Sequence, residues 1–142
     1  MSLFGTRGSG SSLAGQAVGA AIVIDFSKYM GELVKIDAEA RTVTVQPGMM
    51  VTPLNRALGK HGLMLGPDPA SADRATVGGA IGNNATGSHS ILYGMMADHV
   101  VSTKAILGDG TRVNFGPLDA EALAAKARGS SLEAAIYQRV PA

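Results

Sequence analysis

Two glycine-rich stretches limit the fold of this chain more than any hydrophobic pattern in it. They are "RGSGSS", Arg7 to Ser12, and "TVGGAIGNNATG", Thr76 to Gly87. The chain has 19 glycines in 142 residues, clustered at such points without a repeating period. That excludes a collagen-like chain and indicates tight loops in which backbone passes close to a ligand or to other backbone. In the first stretch, successive unhindered main-chain N–H groups are flanked by a guanidinium at the start and serine hydroxyls at the end. Such a segment can turn sharply and aim several donors at a diphosphate. Two common phosphate loops do not match it. Leu13 stands where G-x-G-x-x-G needs its third glycine, and no lysine follows as a Walker A loop requires. Taken alone, the first stretch reads more readily as a linker than as a phosphate loop, and the second reads equally as close helix–sheet packing followed by an asparagine turn.

The rest of the chain alternates hairpin and short-helix patterns. Ala20 to Asp25 is expected to form a short buried strand, β-branched in the middle. "ELVKIDAEARTVTVQPG" predicts a hairpin of Leu33–Ile36 and Thr42–Gln46 turning at "DAEA". "TPLNRALGKHG" predicts a helix with Thr52 as N-cap, Pro53 in its first position and Gly62 just past its end. "GPDPASAD", with two prolines close together, is a shaped loop. A short helix is expected from about Thr76 to Gly87. "HVVSTKAILGDGTRVNF" is a hairpin around Gly108-Asp109-Gly110. "DAEALAAKARG" and "SSLEAAIYQRV" are helical, the second with Ser130 and Glu133 in capping-box register. The order is α+β rather than regular βαβα winding.

Composition narrows the function. Hydrophobic content of 46% and charged content of 16% exclude wholesale disorder. A net charge near +1 without a basic stripe excludes a nucleic-acid partner. There is no cysteine, hence no disulfide, thiolate metal site or iron–sulfur ligand in this chain. No apolar run approaches the roughly 18 residues of a membrane span, so a soluble, cytoplasmic chain is expected. No His/Asp/Glu set has metal-ligand spacing, and "GSHS" lacks the G-x-S-x-G of a nucleophile elbow. His61 fits a helix C-terminus, and His99 the start of a strand. His89, beside the second glycine stretch, fits a structural hydrogen bond better than a catalytic base. The pairs Met49-Met50 and Met95-Met96 fit core filling.

In order, "RGSGSSLAGQ", "GPDPAS", "TVGGAIGNNATGSHS", "YG" and "DHVVSTKAILGDGTRV" resemble the FAD-binding domain of the vanillyl-alcohol-oxidase / p-cresol-methylhydroxylase type. The likeness covers about Gly5 to Leu118, with residues 119–142 as a helical extension. "SLAGQAVG", "IDFSKYM" and the tail look like the bacterial FAD-linked D-lactate and D-2-hydroxyglutarate dehydrogenases. The resemblance implies a mixed or antiparallel sheet with flanking short helices. It makes Arg7, Gly8, Ser9, Gly10, Ser11 and Ser12 the first pyrophosphate loop. Pro67 and Asp68 would wall the isoalloxazine or ribityl region. Thr76, Gly78, Gly79, Asn83, Asn84, Gly87 and Ser88 would form the second cradle, with the His99–Phe115 hairpin as the sheet beneath it. Some relatives bond flavin through a histidine where Ser11 stands, so noncovalent FAD is implied.

The resemblance also implies departures. The family's leading βαβ subdomain is missing before the loop, as are the last strands and the substrate domain. The chain is thus expected to be a partial FAD-binding domain, inactive alone, with the catalytic base elsewhere. The parent would oxidise a D-2-hydroxy acid to the 2-oxo acid, and any iron–sulfur cluster or peripheral inner-membrane attachment would belong to that parent. The alternatives are a non-catalytic FAD-binding fragment, or the same fold with the reaction of UDP-N-acetylenolpyruvoylglucosamine reductases or sugar-lactone oxidases. An exposed strand edge would favour a homodimer.

Overall fold

Alternating β-branched residues in "LVKID" and "TVTV" pair in the register that the alternation demands. In the computed structural model, which describes residues 4–12, 14–15 and 17–140, β3 (Leu33–Asp37) and β4 (Thr42–Val45) form an antiparallel hairpin. It turns through residues 38–41, one residue later than "DAEA", with Asp37 Oδ1 accepting from Ala40 N at 3.0 Å. Before it, β1 (Phe4–Arg7) and β2 (Ile22–Asp25) pair in parallel, Arg7 opposite Asp25. The first glycine stretch therefore leaves the end of a strand, where the sequence suggests only loop.

The β2 expectation is corrected in one respect. Ile22, Val23 and Ile24 are all exposed, Ile22 by 63%. β2 pairs with β1 in a two-stranded sheet, and an apolar run does not specify what covers it.

Helix α1 (Val51–Gly59) buries Val51, Leu54 and Leu58, one stripe at helical spacing. Its N-cap is Met50, not Thr52. The end of the "GPDPASAD" loop and the two residues after it supply what a capping side chain would: Thr52 N donates to Ala72 O at 3.2 Å and Val51 N to Ala75 O at 3.0 Å. Freed from capping, Thr52 Oγ1 donates to Asp73 Oδ1 at 2.8 Å. Pro53 is tolerated because it lies in the first turn, where an N–H has no helical partner. The other end is as predicted. Leu63 N donates to Leu58 O and Gly62 N to Gly59 O, a Schellman closure that puts Gly62 at φ +67°.

Helix α2 (Val77–Gly82) opens at Thr76 as expected, but it ends at Gly82 and Asn83 rather than Gly87. Asn84 takes φ +45°, which an α-helix cannot continue through. Helix α3 (Ser90–Tyr93) and a 3-10 turn over Met96–His99 follow. His99 thus ends a helical turn instead of opening a strand, and its Nε2 lies 2.9 Å from Tyr93 O. Met49, Leu54, Leu58, Val77, Ala80 and Met96 form the core of this unit, with Leu33, Ile36, Val43 and Val45 of the hairpin packed on it. Met49 and Met96 fill core as expected; Met50 and Met95 are exposed.

This first compact unit is Met1–His99, and Val100–Ala142 is the second. In the second, β5 (Thr103–Ile106) and β6 (Arg112–Phe115) form the predicted hairpin, with Gly110 N donating to Leu107 O. Helix α4 (Ala120–Lys126) is capped by Asp119 and α5 (Leu132–Arg139) by Ser131, one residue beyond the expected Ser130. Lys126 Nζ bonds Glu133 Oε1 at 2.6 Å, and Tyr137 stacks against Phe115 at 5.9 Å.

Candidate functional site: a cleft between two glycine loops

Gly8 and Ser9, directly after β1, lie against the start of α2, and the two glycine stretches meet there. A Cβ on Gly8 would fall on Thr76 Oγ1, so the loops touch backbone to side chain. Ser9 Oγ donates to Arg74 O and ties the first loop to the turn before α2. Gly10 adopts φ +74°, a left-handed turn open to glycine at little cost. Between the loops lies a cleft of about 440 Å³, a size usual for small-molecule sites.

Arg7, Gly8, Ser9, Gly10, Ser11 and Ser12 all line the cleft from one side. Thr76, Gly78, Gly79 and Asn83 line it from the other. The expected site residues Pro67, Asp68, Asn84, Gly87 and Ser88 do not line it. Pro67 is fully buried, and Gly87 packs on the main chain of Asp68, where an added Cβ would fall on the Asp68 carbonyl. Asp68 Oδ2 stands 3.4 Å from His89 Nδ1, the two half-exposed side chains joining these loops beyond the cleft. Asn84 Oδ1 accepts from Ala97 N at 2.9 Å and so holds the 3-10 turn.

The two loops contribute different chemistry. Among the described turns and loops, no bond to another backbone group is donated by the N–H groups of Gly8, Gly10 or Ser11. The start of α2 is already occupied: Val77 N donates to Met49 O at 2.7 Å, Gly78 N to Pro47 O at 2.8 Å, and Gly79 N to Thr76 Oγ1 at 3.3 Å. Gly78 is needed for close packing, since a Cβ there would lie 2.7 Å from Pro47 Cβ. Gly82 faces open space, with nothing within 4 Å of an added Cβ. The first loop offers main-chain donors, and the second offers a side-chain-poor wall.

Arg7 is committed to a partner that the sequence reading did not single out. Its Nε and Nη2 donate to Asp25 Oδ2 at 3.1 and 2.8 Å. Asp25 Oδ1 accepts from Ser27 N at 2.8 Å and Ser27 Oγ at 2.6 Å. These bonds, Ser27's hydroxyl first and Arg7 next, hold the Asp25 carboxyl at a pKa of about 2. Thr6, Ala17, Phe26, Pro47, Pro69, Ser71 and Ala85 also line the cleft. The available signal for Asp25 was its place at the end of an apolar strand two residues before a serine. Among the described residues, no aspartate or glutamate lines the cleft, and no group of His, Cys, Asp and Glu could hold a metal. A lining of hydroxyls, main-chain N–H groups and one guanidinium, without a carboxylate, suits a diphosphate.

Such a cleft, in an α+β unit whose glycine loops leave a strand and open a helix, has the lining of a small-molecule site. Comparison with known proteins makes this specific. Residues 4–116 match the family described as FAD binding domain, and the chain belongs to that family. It is 40% identical over 117 residues to D-2-hydroxyglutarate dehydrogenase of Pseudomonas putida, covering 82% of this chain and 12% of that protein. It is also 40% identical over 112 residues to D-lactate dehydrogenase of Archaeoglobus fulgidus, covering 78% and 25%. The chain therefore spans a quarter or less of the length of these two relatives.

Among solved structures, an alkyldihydroxyacetonephosphate synthase matches with TM-score 0.69 at 27% identity, over 81% of this chain and 22% of that one. The 6-hydroxy-D-nicotine oxidase of Arthrobacter nicotinovorans matches with TM-score 0.69 over 80% of this chain and 24% of its own. At 18% identity, that likeness is one of fold alone. The fold expected from the resemblance, α+β of the vanillyl-alcohol-oxidase type, is the fold found. No helix among the described residues is long and apolar enough to cross a membrane.

Proposed function

We propose that this chain is the flavin-holding part of an oxidoreductase that converts a D-2-hydroxy acid to its 2-oxo acid. The observation that carries the reading is the meeting of the predicted loop Arg7–Ser12 with Thr76, Gly78, Gly79 and Asn83 of the predicted stretch Thr76–Gly87 across one cleft that no carboxylate lines among the described residues. The names of the relatives at 40% identity support the substrate class. Arg7, Gly8, Ser9, Gly10, Ser11 and Ser12 would hold the diphosphate of FAD, with Thr76, Gly78, Gly79 and Asn83 as the opposite wall. Pro67, Asp68, Asn84, Gly87 and Ser88 would act beyond that wall, shaping the loops that continue it. Bound FAD supplies a two-electron acceptor for the hydride removed from the hydroxyl-bearing carbon. The polypeptide's own part is to bind and orient it. Ser11 stands at the position implied for covalent attachment, and neither histidine nor cysteine lines the cleft among the described residues, which favours noncovalent FAD. A cytoplasmic location belongs to this same reading. So does a homodimer in which a second copy covers the exposed Ile22 and Ile24.

The test mixes the purified chain with excess FAD, desalts it and records the visible spectrum, with FMN as the parallel control. Retained, structured absorbance with FAD and not with FMN supports the reading. A chain that is folded by circular dichroism yet retains no flavin refutes it.

A further inference from the structure

The Arg7–Asp25 pair sits at the end of the parallel β1–β2 ladder, where the two residues stand directly opposite each other. The Arg7 side chain is 42% exposed and that of Asp25 34%. An ion pair this open adds little to stability. It also places a negative charge beside a cleft that otherwise excludes carboxylates, which opposes an anionic ligand. Its geometry suggests a different use. Asp25 takes two of the five guanidinium N–H donors, the one on Nε and one of the two on Nη2, through one oxygen. Its other oxygen is fixed by both Ser27 donors, so the carboxylate is held at both ends. The guanidinium is left with Nη1 turned toward the first loop, 3.4 Å from where a Cβ on Gly10 would stand. Arg7 lines the cleft, and Asp25 does not.

We infer that Asp25 is a positioning residue for the diphosphate cradle: braced by Ser27, it fixes the Arg7 guanidinium so that Nη1 faces the Arg7–Ser12 loop. This rests on the FAD reading above. Two effects oppose each other when the carboxylate is neutralised. Removing a like charge near an anion strengthens binding, whereas releasing a long, rotamer-rich side chain weakens it. The brace predicts that the second wins.

The test measures binding of FAD, ADP and riboflavin to the whole chain by fluorescence titration and calorimetry, for the parent, Asp25→Asn, Arg7→Met and the double variant. Asp25→Asn should weaken FAD and ADP about tenfold and leave riboflavin unchanged, because only the first two carry a diphosphate. A general loss of structure would move all three together. With Arg7→Met already present, Asp25→Asn should add less than twofold, and Asp25→Glu should recover part of the loss. Should Asp25→Asn fail to fold, Ser27→Ala, which removes one of the two Ser27 donors, should weaken FAD about threefold. Equal or tighter FAD binding by Asp25→Asn, or by Ser27→Ala where that variant takes its place, overturns the brace while leaving the FAD reading intact. If the folded parent chain binds none of the ligands, both fall together.

Discussion

Replacing Gly8 by alanine tests whether the two loops form one site or merely lie near each other. The added methyl would fall on Thr76 Oγ1, and would lie 3.1 Å from Thr76 Cβ and 3.2 Å from its Cγ2. Thr76 has little room to move away. It is 2% exposed, and its hydroxyl caps α2 by accepting from Gly79 N. Rotating the side chain gives up that cap, which is worth about 0.5–2 kcal/mol, and still leaves the methyl crowded by Cβ. Moving the loop instead is an overpacking response, costing about 1–3 kcal/mol and widening the cleft. Gly8→Ala should therefore destabilise the chain by about 1–3 kcal/mol and reduce FAD retention. Thr76→Ala alone should cost about 1 kcal/mol through the lost cap. In the double variant Oγ1 and Cγ2 are gone, so the combined loss should fall short of the sum by about 1 kcal/mol, as expected for residues in contact. Guanidinium denaturation followed by circular dichroism reads all three values. Strictly additive losses, or a neutral Gly8→Ala, would show that the contact does not organise the cleft.

Three further outcomes follow from the same structure. Gly87→Ala should cost about 1–3 kcal/mol because its methyl falls on the Asp68 carbonyl, whereas Gly82→Ala, facing open space, should be neutral or stabilising in the same denaturation assay. Leu54→Ala, at 1% exposure in the core of the first unit, should cost about 2–5 kcal/mol; a loss under 1 kcal/mol would mean that α1 is not seated as described. Asp25 should titrate near 2 by carboxyl carbon NMR, below the usual value of 3.8. Because the folded pKa is depressed, its contribution to stability is present above the unfolded value and is lost as pH falls from about 4 through 2. Ser27→Ala and Arg7→Met should each raise that midpoint, and a midpoint left unmoved by either change would contradict the part assigned to that residue.

What was legible in the sequence were features written in neighbouring residues. The two hairpins, the start of α2 at Thr76, the closure of α1 at Gly62 and the helices after Asp119 all follow from alternation, capping and turn chemistry within a few positions. Misread features depend on what a segment meets in space. Thr52 has the chemistry of an N-cap, but carbonyls from the loop at 72–75 cap α1 instead, so the helix begins one residue earlier than Thr52. β2 carries a buried-strand pattern and lies exposed because nothing among the described residues covers it. In each methionine pair one member reaches the core and the other stays exposed, a difference that the pattern of adjacent residues does not encode. The first phosphate loop was legible residue by residue, since all six of its members line the cleft. The brace behind it was not, because Arg7 and Asp25 are 18 positions apart and meet only through strand pairing.

The second loop shows most clearly why a glycine motif cannot be interpreted by composition. Gly78, Gly82 and Gly87 look alike in the sequence, yet each is there for a different reason. Gly78 is required by the protein itself, because Pro47 occupies the space a side chain would need and also accepts the Gly78 N–H. Gly87 is required by the Asp68 main chain, outside the cleft. Gly82 lines the cleft and meets no protein atom within 4 Å of an added Cβ. Because Gly82 lines the cleft, the space its missing side chain leaves is open to a ligand there. Bulky substitution at Gly82 should therefore separate the two roles that glycine motifs confuse. Gly82→Val should leave the denaturation midpoint within about 1 kcal/mol of the parent, since only helix propensity changes at the end of α2. It should nonetheless reduce FAD retention several-fold by projecting into the cleft. If Gly82→Val holds FAD as the parent does, the wall formed by α2 does not face the ligand, and the second loop is packing alone.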